Sequence, residues 1–144
     1  MGDVSTNFSY SEFVVSKDYP ALAAQITLTL QDRAKVKYMV RHFLQPLRIA
    51  TGAKISLLSS KRSPELNKNV GGTTNSDHMF KGNYACACDI YLEALVSGGW
   101  AAENVIEWFK QKGGFKQLVW YSSQLFFHLA PWGLTTKESQ VLIR

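Results

Sequence analysis

The sequence predicts an α+β domain in which helices pack on a small, mainly antiparallel sheet. Apolar residues recur at helical spacing across residues 32–50 and again across residues 101–114. Short runs rich in β-branched, aromatic and apolar residues predict strands at 54–62, 84–91, 115–121 and 124–132. Two of these strands are close enough to form a hairpin across Ser122 and Ser123. This mixture of segregated helices and hairpin-connected strands is typical of the α+β class.

Helix boundaries are marked by capping residues. Ser9 and Glu12 form a capping-box pattern that predicts a short first helix, and residues 17–30 look like a partly extended connection. Pro46 should kink the helix over 32–50, and Gly52 should end it.

Two further helices and a last strand complete the expected order. Ser63 is a natural N-cap for a helix that begins at Pro64 and stops near Gly71. The helix over 101–114 should turn Val105, Ile106, Trp108 and Phe109 inward. Residues 139–144 predict a final edge strand.

Length and charge narrow the classes of function. A chain of 144 residues is expected to form one domain, residues 1–144. The net charge of +5 suggests an anionic partner such as nucleic acid, a membrane surface or a bacterial wall polymer; the alternative is a mildly basic soluble protein with no such partner. Lysine and arginine are scattered, so no nucleic-acid partner is expected. No apolar stretch is long enough to span a membrane, and the N-terminal residues do not resemble a secretory signal.

Strand alternation places an aspartate and a histidine on a face away from the core. In the run over 124–130, Leu125, Phe127 and Leu129 should face the core, and His128 should face the other way. Alternation over 84–91 likewise turns Cys86, Cys88 and Ile90 toward the core and leaves Asp89 on the opposite face. We therefore assign both cysteines to the core as free thiols.

Burying a lone carboxylate is costly unless it is paired or bound to a metal. His78, in the polar loop before Asp89, and His128 would supply two imidazoles to complete a zinc site with that carboxylate. The structural alternatives are a strand histidine satisfied by packing and an aspartate paired with an arginine. His42, on a helix, is assigned no function.

Several motifs in order resemble the zinc D-alanyl-D-alanine carboxypeptidase family, and in particular its compact phage-type members with the hedgehog/DD-peptidase fold. The motifs are "FSYSEF", "LQPLR", "SSKRSPELNKNVGGTTNSDHM", "ACDIY" and "QLVWYSSQLFFHLA". The resemblance covers roughly residues 7–131, and the block from "RSPELNKNVGG" through "SDH" is its most specific part.

The resemblance implies roles for five residues. It implies zinc bound by His78, Asp89 and His128, with Arg62 as an electrostatic clamp for the substrate or for the tetrahedral oxyanion. It also implies that Ser76 hydrogen-bonds the substrate peptide. The implied reaction is hydrolysis of a peptide bond in peptidoglycan stem peptides.

The chain departs from the family pattern in two places. The family usually separates the first histidine from the aspartate by seven residues, whereas here the separation is eleven; a loop insertion around "FKGNY" is expected to absorb the difference. The glutamate that acts as general base has no counterpart, and Tyr121 occupies its place. A tyrosine with a pKa near ~10 is a poor base at neutral pH, although it could donate to an oxyanion or simply pack on the strand.

Three interpretations follow from the missing glutamate. Asp77 or Glu93 could supply a carboxylate from another element, the metal-bound hydroxide and Arg62 could suffice for slow turnover, or the chemistry could be lost. The sequence therefore predicts a zinc peptidase acting on wall peptides, for example in phage lysis or in penetration of the host wall. The alternative is a zinc-binding structural or virion module on the same fold with little or no turnover.

Overall fold

The computed structural model describes residues 2–131 and 139–144, which contain five α-helices and five β-strands. In chain order these are α1 (Pro20–Ala23), α2 (Leu30–Met39), α3 (Gln45–Thr51), β1 (Ile55–Ser59), α4 (Pro64–Asn69), β2 (Cys88–Leu92), α5 (Ala102–Lys112), β3 (Gln117–Tyr121), β4 (Phe126–Ala130) and β5 (Gln140–Ile143). Short 3-10 turns cover Tyr10–Val14, Asp77–Met79 and Glu93–Leu95. The α+β class is confirmed.

All five strands form one sheet in the order β1-β2-β4-β3-β5. Each neighbouring pair is antiparallel except β3 and β5, which run parallel. The expected hairpin joins β3 to β4, and the last strand lies at an edge of the sheet, as the sequence predicts.

The two faces of the sheet differ sharply in chemistry. Three central strands contribute apolar side chains, nearly all of them fully buried, to one face: Cys88, Ile90, Leu118, Trp120, Phe127 and Leu129. On the other face Asp89 pairs in register with His128, and His128 pairs with Val119. The alternation predicted for β2 and β4 therefore holds, and the polar row lies away from the main core.

Helical side chains complete the core against the apolar face. Phe43 stacks on Phe109 of α5 with 5.9 Å between ring centroids, and Val36 and Met39 of α2 are fully buried. Each such side chain contributes about 1.5–3 kcal/mol through burial. None of the helices in the described ranges is long and apolar enough to cross a membrane.

The helix predicted over 32–50 is interrupted before Pro46. A π-helical turn at Val40–Leu44 separates α2 from α3. Because Pro46 has no N–H to donate to the preceding turn, a local widening of the helix accommodates it. Gly52 ends α3 in the left-handed conformation, with φ of 65°.

Capping bonds set where α2 and α4 begin. The Thr29 hydroxyl accepts from the Asp32 N–H at 3.1 Å, and the Thr29 N–H donates to the Asp32 carboxylate at 3.0 Å. This reciprocal pair starts α2 at Leu30, two residues earlier than the apolar pattern indicates. Ser63 caps α4 as expected, since its hydroxyl accepts from the Leu66 N–H at 3.1 Å.

Three local expectations were wrong. The connection over 17–30 contains α1, which begins with Pro20 at the first helical position, where a missing N–H costs nothing. The β3–β4 turn is longer than Ser122–Ser123: it extends to Leu125, which has φ of 58° and is 48% exposed rather than in the core. The strand predicted over 84–91 begins only at Cys88 in the structure, where β2 covers Cys88–Leu92. Trp132, the last residue of the strand predicted over 124–132, lies outside the described residues.

Candidate metal centre

Asp89 and His128 approach each other because their strands place them directly opposite. They are register partners in the antiparallel pair β2–β4. His128 Nδ1 lies 2.9 Å from Asp89 Oδ1, and both side chains are about 85% buried. The sheet itself therefore fixes two of the three groups.

His78 reaches the same point from a loop. It lies in the 3-10 turn Asp77–Met79, whose N-cap Ser76 accepts the His78 N–H on its hydroxyl at 3.2 Å. The His78 carbonyl accepts from the Arg62 N–H at 2.7 Å, which attaches the turn to the segment after β1. His78 Nε2 then lies 3.2 Å from both Asp89 Oδ1 and His128 Nδ1.

These three atoms have the spacing of a metal ligand set. Tetrahedral zinc ligands at about 2.0–2.2 Å from the ion lie roughly 3.3–3.6 Å from one another. The observed separations of 2.9, 3.2 and 3.2 Å are within a few tenths of an ångström of that range. Two imidazoles and a carboxylate are also a donor set that suits zinc, so the residues fit the ion.

A hydrogen bond to the backbone orients the His78 ring. Its Nδ1 lies 2.7 Å from the carbonyl oxygen of Ser60, so Nδ1 carries the proton and donates to Ser60. Nε2 is therefore the ring nitrogen that faces Asp89 and His128. Ser60 is fully buried, and its hydroxyl donates to the Ala87 carbonyl at 2.8 Å, which fixes the acceptor.

Asp89 is held in its charged form. Burial alone would raise the pKa of this carboxyl, but the adjacent His78 and His128 side chains together lower the pKa well below its usual range. A carboxylate that stays ionised is ready to bind a cation.

Arg62 lies on the other side of the carboxylate. Its Nη2 is 3.6 Å from Asp89 Oδ2, while Nε donates to Ser59 Oγ and Nη1 donates to Asn67 Oδ1, each at 3.3 Å. Burial lowers the pKa of the guanidinium, and the charge of Asp89 opposes that shift. Arginine keeps its charge at physiological pH, so Arg62 is a fixed cation beside the histidine pair.

Asn67 supports Arg62 from the end of α4. It is 3% exposed, and its Nδ2 donates to the Thr73 carbonyl at 2.8 Å while its Oδ1 accepts from Arg62. Gly72 passes so close that a Cβ there would overlap Oδ1 of Asn67. The pair of glycines after α4 therefore allows a close approach as well as ending the helix.

The cluster lies in an open cleft of about 550 Å³. Fifteen described residues line it: Arg62, Gly71, Gly72, Thr73, Asn75, Ser76, Asp77, His78, Asp89, Gln117, Val119, Tyr121, Phe126, His128 and Arg144. All six site residues expected from the sequence are among them. Tyr121 stacks on Phe126 with 4.6 Å between ring centroids.

Neither carboxylate considered as a substitute base is free at the cluster. Asp77 lines the cleft, but its Oδ2 lies 2.7 Å from Lys116 Nζ in an ion pair. Glu93 follows β2 at the far end from the cleft, four residues beyond Asp89, or about 13 Å along the strand. Glu93 does not line the cleft.

The two cysteines are not part of the cluster. Cys86 and Cys88 are buried on the core side, and no disulfide joins them. Burial raises the pKa of the Cys88 thiol well above its usual value, which keeps the sulfur protonated.

The eleven-residue separation between His78 and Asp89 includes a loop that is hydrogen-bonded to helix α2. Lys35, on α2, is 6% exposed, and its Nζ donates to the carbonyls of Phe80 and Gly82 at 2.8 and 2.7 Å. Phe80 and Gly82 both have positive φ, which turns the chain back within a few residues. The additional residues therefore leave both side chains within 3.2 Å of each other.

An α+β fold with a His-Asp-His cluster and a nearby arginine in an open cleft is the arrangement of a metal-dependent hydrolase. A family model described as Peptidase M15 matches residues 6–130. The chain belongs to this family, that of the zinc D-alanyl-D-alanine carboxypeptidases, and its general class is that of a zinc metallopeptidase. A comparison with curated proteins finds no match.

Sequence reasoning missed the residues that support the cluster. Ser60 acts through a backbone carbonyl, which leaves no sequence signal. Asn67 lies five residues after Arg62, within the motif "RSPELNKNVGG". The motif therefore contained this residue, although the sequence does not show that its amide is buried beside Gly72. Lys35 lies more than forty residues before its two acceptors.

Proposed function

We propose that this protein is a zinc peptidase that hydrolyses peptide bonds in bacterial peptidoglycan stem peptides. His78 Nε2, Asp89 Oδ1 and His128 Nδ1 would hold the ion. The observation that carries the proposal is the 2.9–3.2 Å triangle formed by these atoms, at the base of a cleft wide enough for a peptide. Family membership supports the general reaction class.

Bound zinc would supply a water with a pKa near ~7 and a Lewis acid for the scissile carbonyl. The protein contributes the remaining groups. Arg62 donates to the carboxylate of the substrate or to the oxyanion, because its guanidinium is already fixed by Ser59 and Asn67. Ser76 forms the cleft wall next to His78 and hydrogen-bonds the peptide backbone. Val119 and Phe126 contribute apolar side chains to the cleft lining beside these polar groups.

Among the described residues that line the cleft, no unpaired aspartate or glutamate side chain is available to accept a proton. Of the described residues that line the cleft, Asp77 and Asp89 are the acids; Asp77 is paired with Lys116, and Asp89 lies within the cluster. Tyr121 occupies the position that the sequence resemblance assigns to a glutamate, and its hydroxyl can donate a hydrogen bond. We infer slow turnover, in which Tyr121 donates to the oxyanion.

The pairing of both acids in the described cleft lining also favours a second candidate. This candidate is a zinc-binding module of the same fold that has no turnover. Its role would be to bind wall peptides or to build a larger particle. It differs from the first candidate in one measurable respect: zinc and peptide would bind, but no bond would be cut.

Two measurements test the proposal. The metal content of the purified protein should approach one zinc per chain. Purified peptidoglycan and synthetic stem peptides should then release free D-alanine or shorter peptides, and a chelator should abolish that release. Zinc without cleavage would favour the binding module, and a protein that takes up no zinc would contradict both candidates.

A further inference from the structure

Arg144, which lines the cleft, follows a strand that lies outside the family match. The matched region ends at residue 130, whereas β5 covers Gln140–Ile143 and pairs in parallel with β3. Gln140 also bonds Gln117 through its side chain, at 2.9 Å. β5 therefore extends, beyond the matched region, the sheet whose strand β3 lines the cleft.

β5 places Arg144 beside Tyr121. The Arg144 N–H donates to the Trp120 carbonyl at 2.8 Å, and the Arg144 carbonyl accepts from the Ser122 N–H and hydroxyl at 2.9 and 3.0 Å. These three bonds bracket Tyr121 and fix the Arg144 backbone at the cleft, which Arg144 lines.

Arg144 differs from Arg62 in what surrounds its charge. Arg62 is engaged by Ser59, Asn67 and Asp89. Among residues 2–131 and 139–144, no aspartate or glutamate side chain forms an ion pair with Arg144. The two acids in the cleft are already paired, with Lys116 and with the histidines. Arg144 is thus an exposed cation that lines the cleft and is not paired with an acidic side chain of the described residues.

We propose that Arg144 binds a carboxylate of the substrate at a subsite formed with Tyr121 and Phe126, separate from the position served by Arg62. The guanidinium fork suits a carboxylate, and the stacked rings of Tyr121 and Phe126 offer a flat apolar surface for the peptide beside it. The preferred substrate is then a peptide with an acidic group in addition to the one at its cut end. This inference rests on the proposed function, since it assigns specificity within the same cleft.

The test compares two peptides that differ in one charge. One is the stem pentapeptide L-Ala-γ-D-Glu-L-Lys-D-Ala-D-Ala, and the other has the α-carboxylate of its glutamate amidated. Affinity for the zinc-loaded protein is measured by calorimetry, and cleavage is followed by chromatography. The matched variants are Arg144→Ala, Arg144→Lys and Arg41→Ala; Arg41 is exposed on the π-helical turn and does not line the cleft.

The expected result is a preference of about fivefold for the acidic peptide, as an exposed ion pair supplies. Arg144→Ala should remove this preference, Arg144→Lys should keep part of it, and Arg41→Ala should keep all of it. The preference should also shrink in 0.5 M salt, since the interaction is ionic.

Two outcomes would overturn the inference. If the wild type binds and cleaves both peptides but Arg144→Ala leaves their affinity ratio unchanged, or if no preference exists, Arg144 is not the carboxylate site, while the proposed function stands. If neither peptide binds or is cleaved, the proposed function falls together with the inference.

Discussion

The Nδ1 atom of His78 lies 2.7 Å from the carbonyl oxygen of Ser60, and this one bond decides which nitrogen of His78 faces the cluster. With its proton on Nδ1, the ring presents a lone pair at Nε2 to the point shared with Asp89 and His128. The site is therefore organised before any ion binds, because a buried backbone carbonyl holds the ring in the required tautomer.

Replacement of any one of the three cluster residues should abolish zinc binding. His78→Ala, Asp89→Ala and His128→Ala each remove one of three protein ligands, and each variant should retain less than about a tenth of the wild-type zinc content after dialysis, as even supporting residues change metal affinity 10–100-fold. Elemental analysis gives the measurement. His42→Ala is the matched control, since His42 is exposed and packs against Tyr38.

A full zinc complement in any of these three alanine variants would contradict the assignment. Loss of zinc from the His42→Ala variant would point to a different site. Circular dichroism of each variant separates loss of the ion from loss of the fold.

Removal of the Asn67 amide should impair the site without removing the ion. Asn67→Ala deletes the acceptor of Arg62 Nη1 and the donor to the Thr73 carbonyl, so the guanidinium loses its fixed position. We expect kcat/KM for a stem peptide to fall about 10–100-fold with zinc content unchanged. Asn69→Ala is the control, because Asn69 is exposed on the same helix. Equal rates in the two variants would argue against a positioning role for Asn67.

A carboxylate at position 121 should increase turnover. Tyr121→Glu places an acid in the cleft, at the position that the sequence resemblance assigns to the family's general base, and general acid–base assistance is typically worth 10²–10⁴-fold. We expect kcat to rise at least tenfold and the pH dependence of kcat to become bell-shaped. Tyr121→Phe is the companion variant: it keeps the stacking on Phe126 and removes the hydroxyl. No gain from glutamate would mean that another group moves the proton or that the substituted cleft has closed.

The ion pair between Asp32 and Lys61 should make stability depend on acid pH. Burial would raise the pKa of Asp32, but the hydrogen bonds from Lys61 and Thr29 and the charge of Lys61 outweigh it, so the pKa is lowered from its ordinary value. A lowered carboxyl pKa stabilises the fold above the unfolded pKa of ~3.9, and that stabilisation is lost as pH falls through the folded pKa.

Asp32→Asn should therefore lower the free energy of unfolding by about 1.5–3 kcal/mol at pH 7, the contribution of hydrogen bonds to a charged group. The difference from wild type should narrow below about pH 4. Urea titrations across this pH range provide the measurement. Asp18→Asn, at an exposed position, should change stability by less than about 0.5 kcal/mol. A difference between Asp32→Asn and wild type that stays constant down to pH 2 would show that the charge is not responsible.

Local rules account for much of what the sequence predicted. Period-two alternation was enough to place Asp89 and His128 on one face, because both lie in strands whose other face is buried. Capping preferences correctly predicted that Ser63 begins α4 and that Gly52 ends α3, because a cap residue interacts with its own neighbours in the sequence. The π-helical turn before Pro46 was expected only as a kink.

Tertiary contacts account for what the sequence did not reveal. Leu125 is predicted in the core because the pattern indicates a two-residue turn, whereas the turn has four residues and Leu125 is the last of them. The carbonyl of Ser60 and the amide of Asn67 support the cluster through partners brought together only by folding. Such contacts have no periodicity, so pattern reasoning cannot find them.

The parallel strand β5 also has a consequence for self-association. It covers the backbone of β3 from Gln117 to Trp120, and without it the N–H and C=O groups along that side of β3 would form an open edge beside Leu118 and Trp120. Open apolar edges recruit strands from other molecules. Deletion of residues 139–144 should therefore yield a protein that aggregates at concentrations where the intact chain remains dispersed.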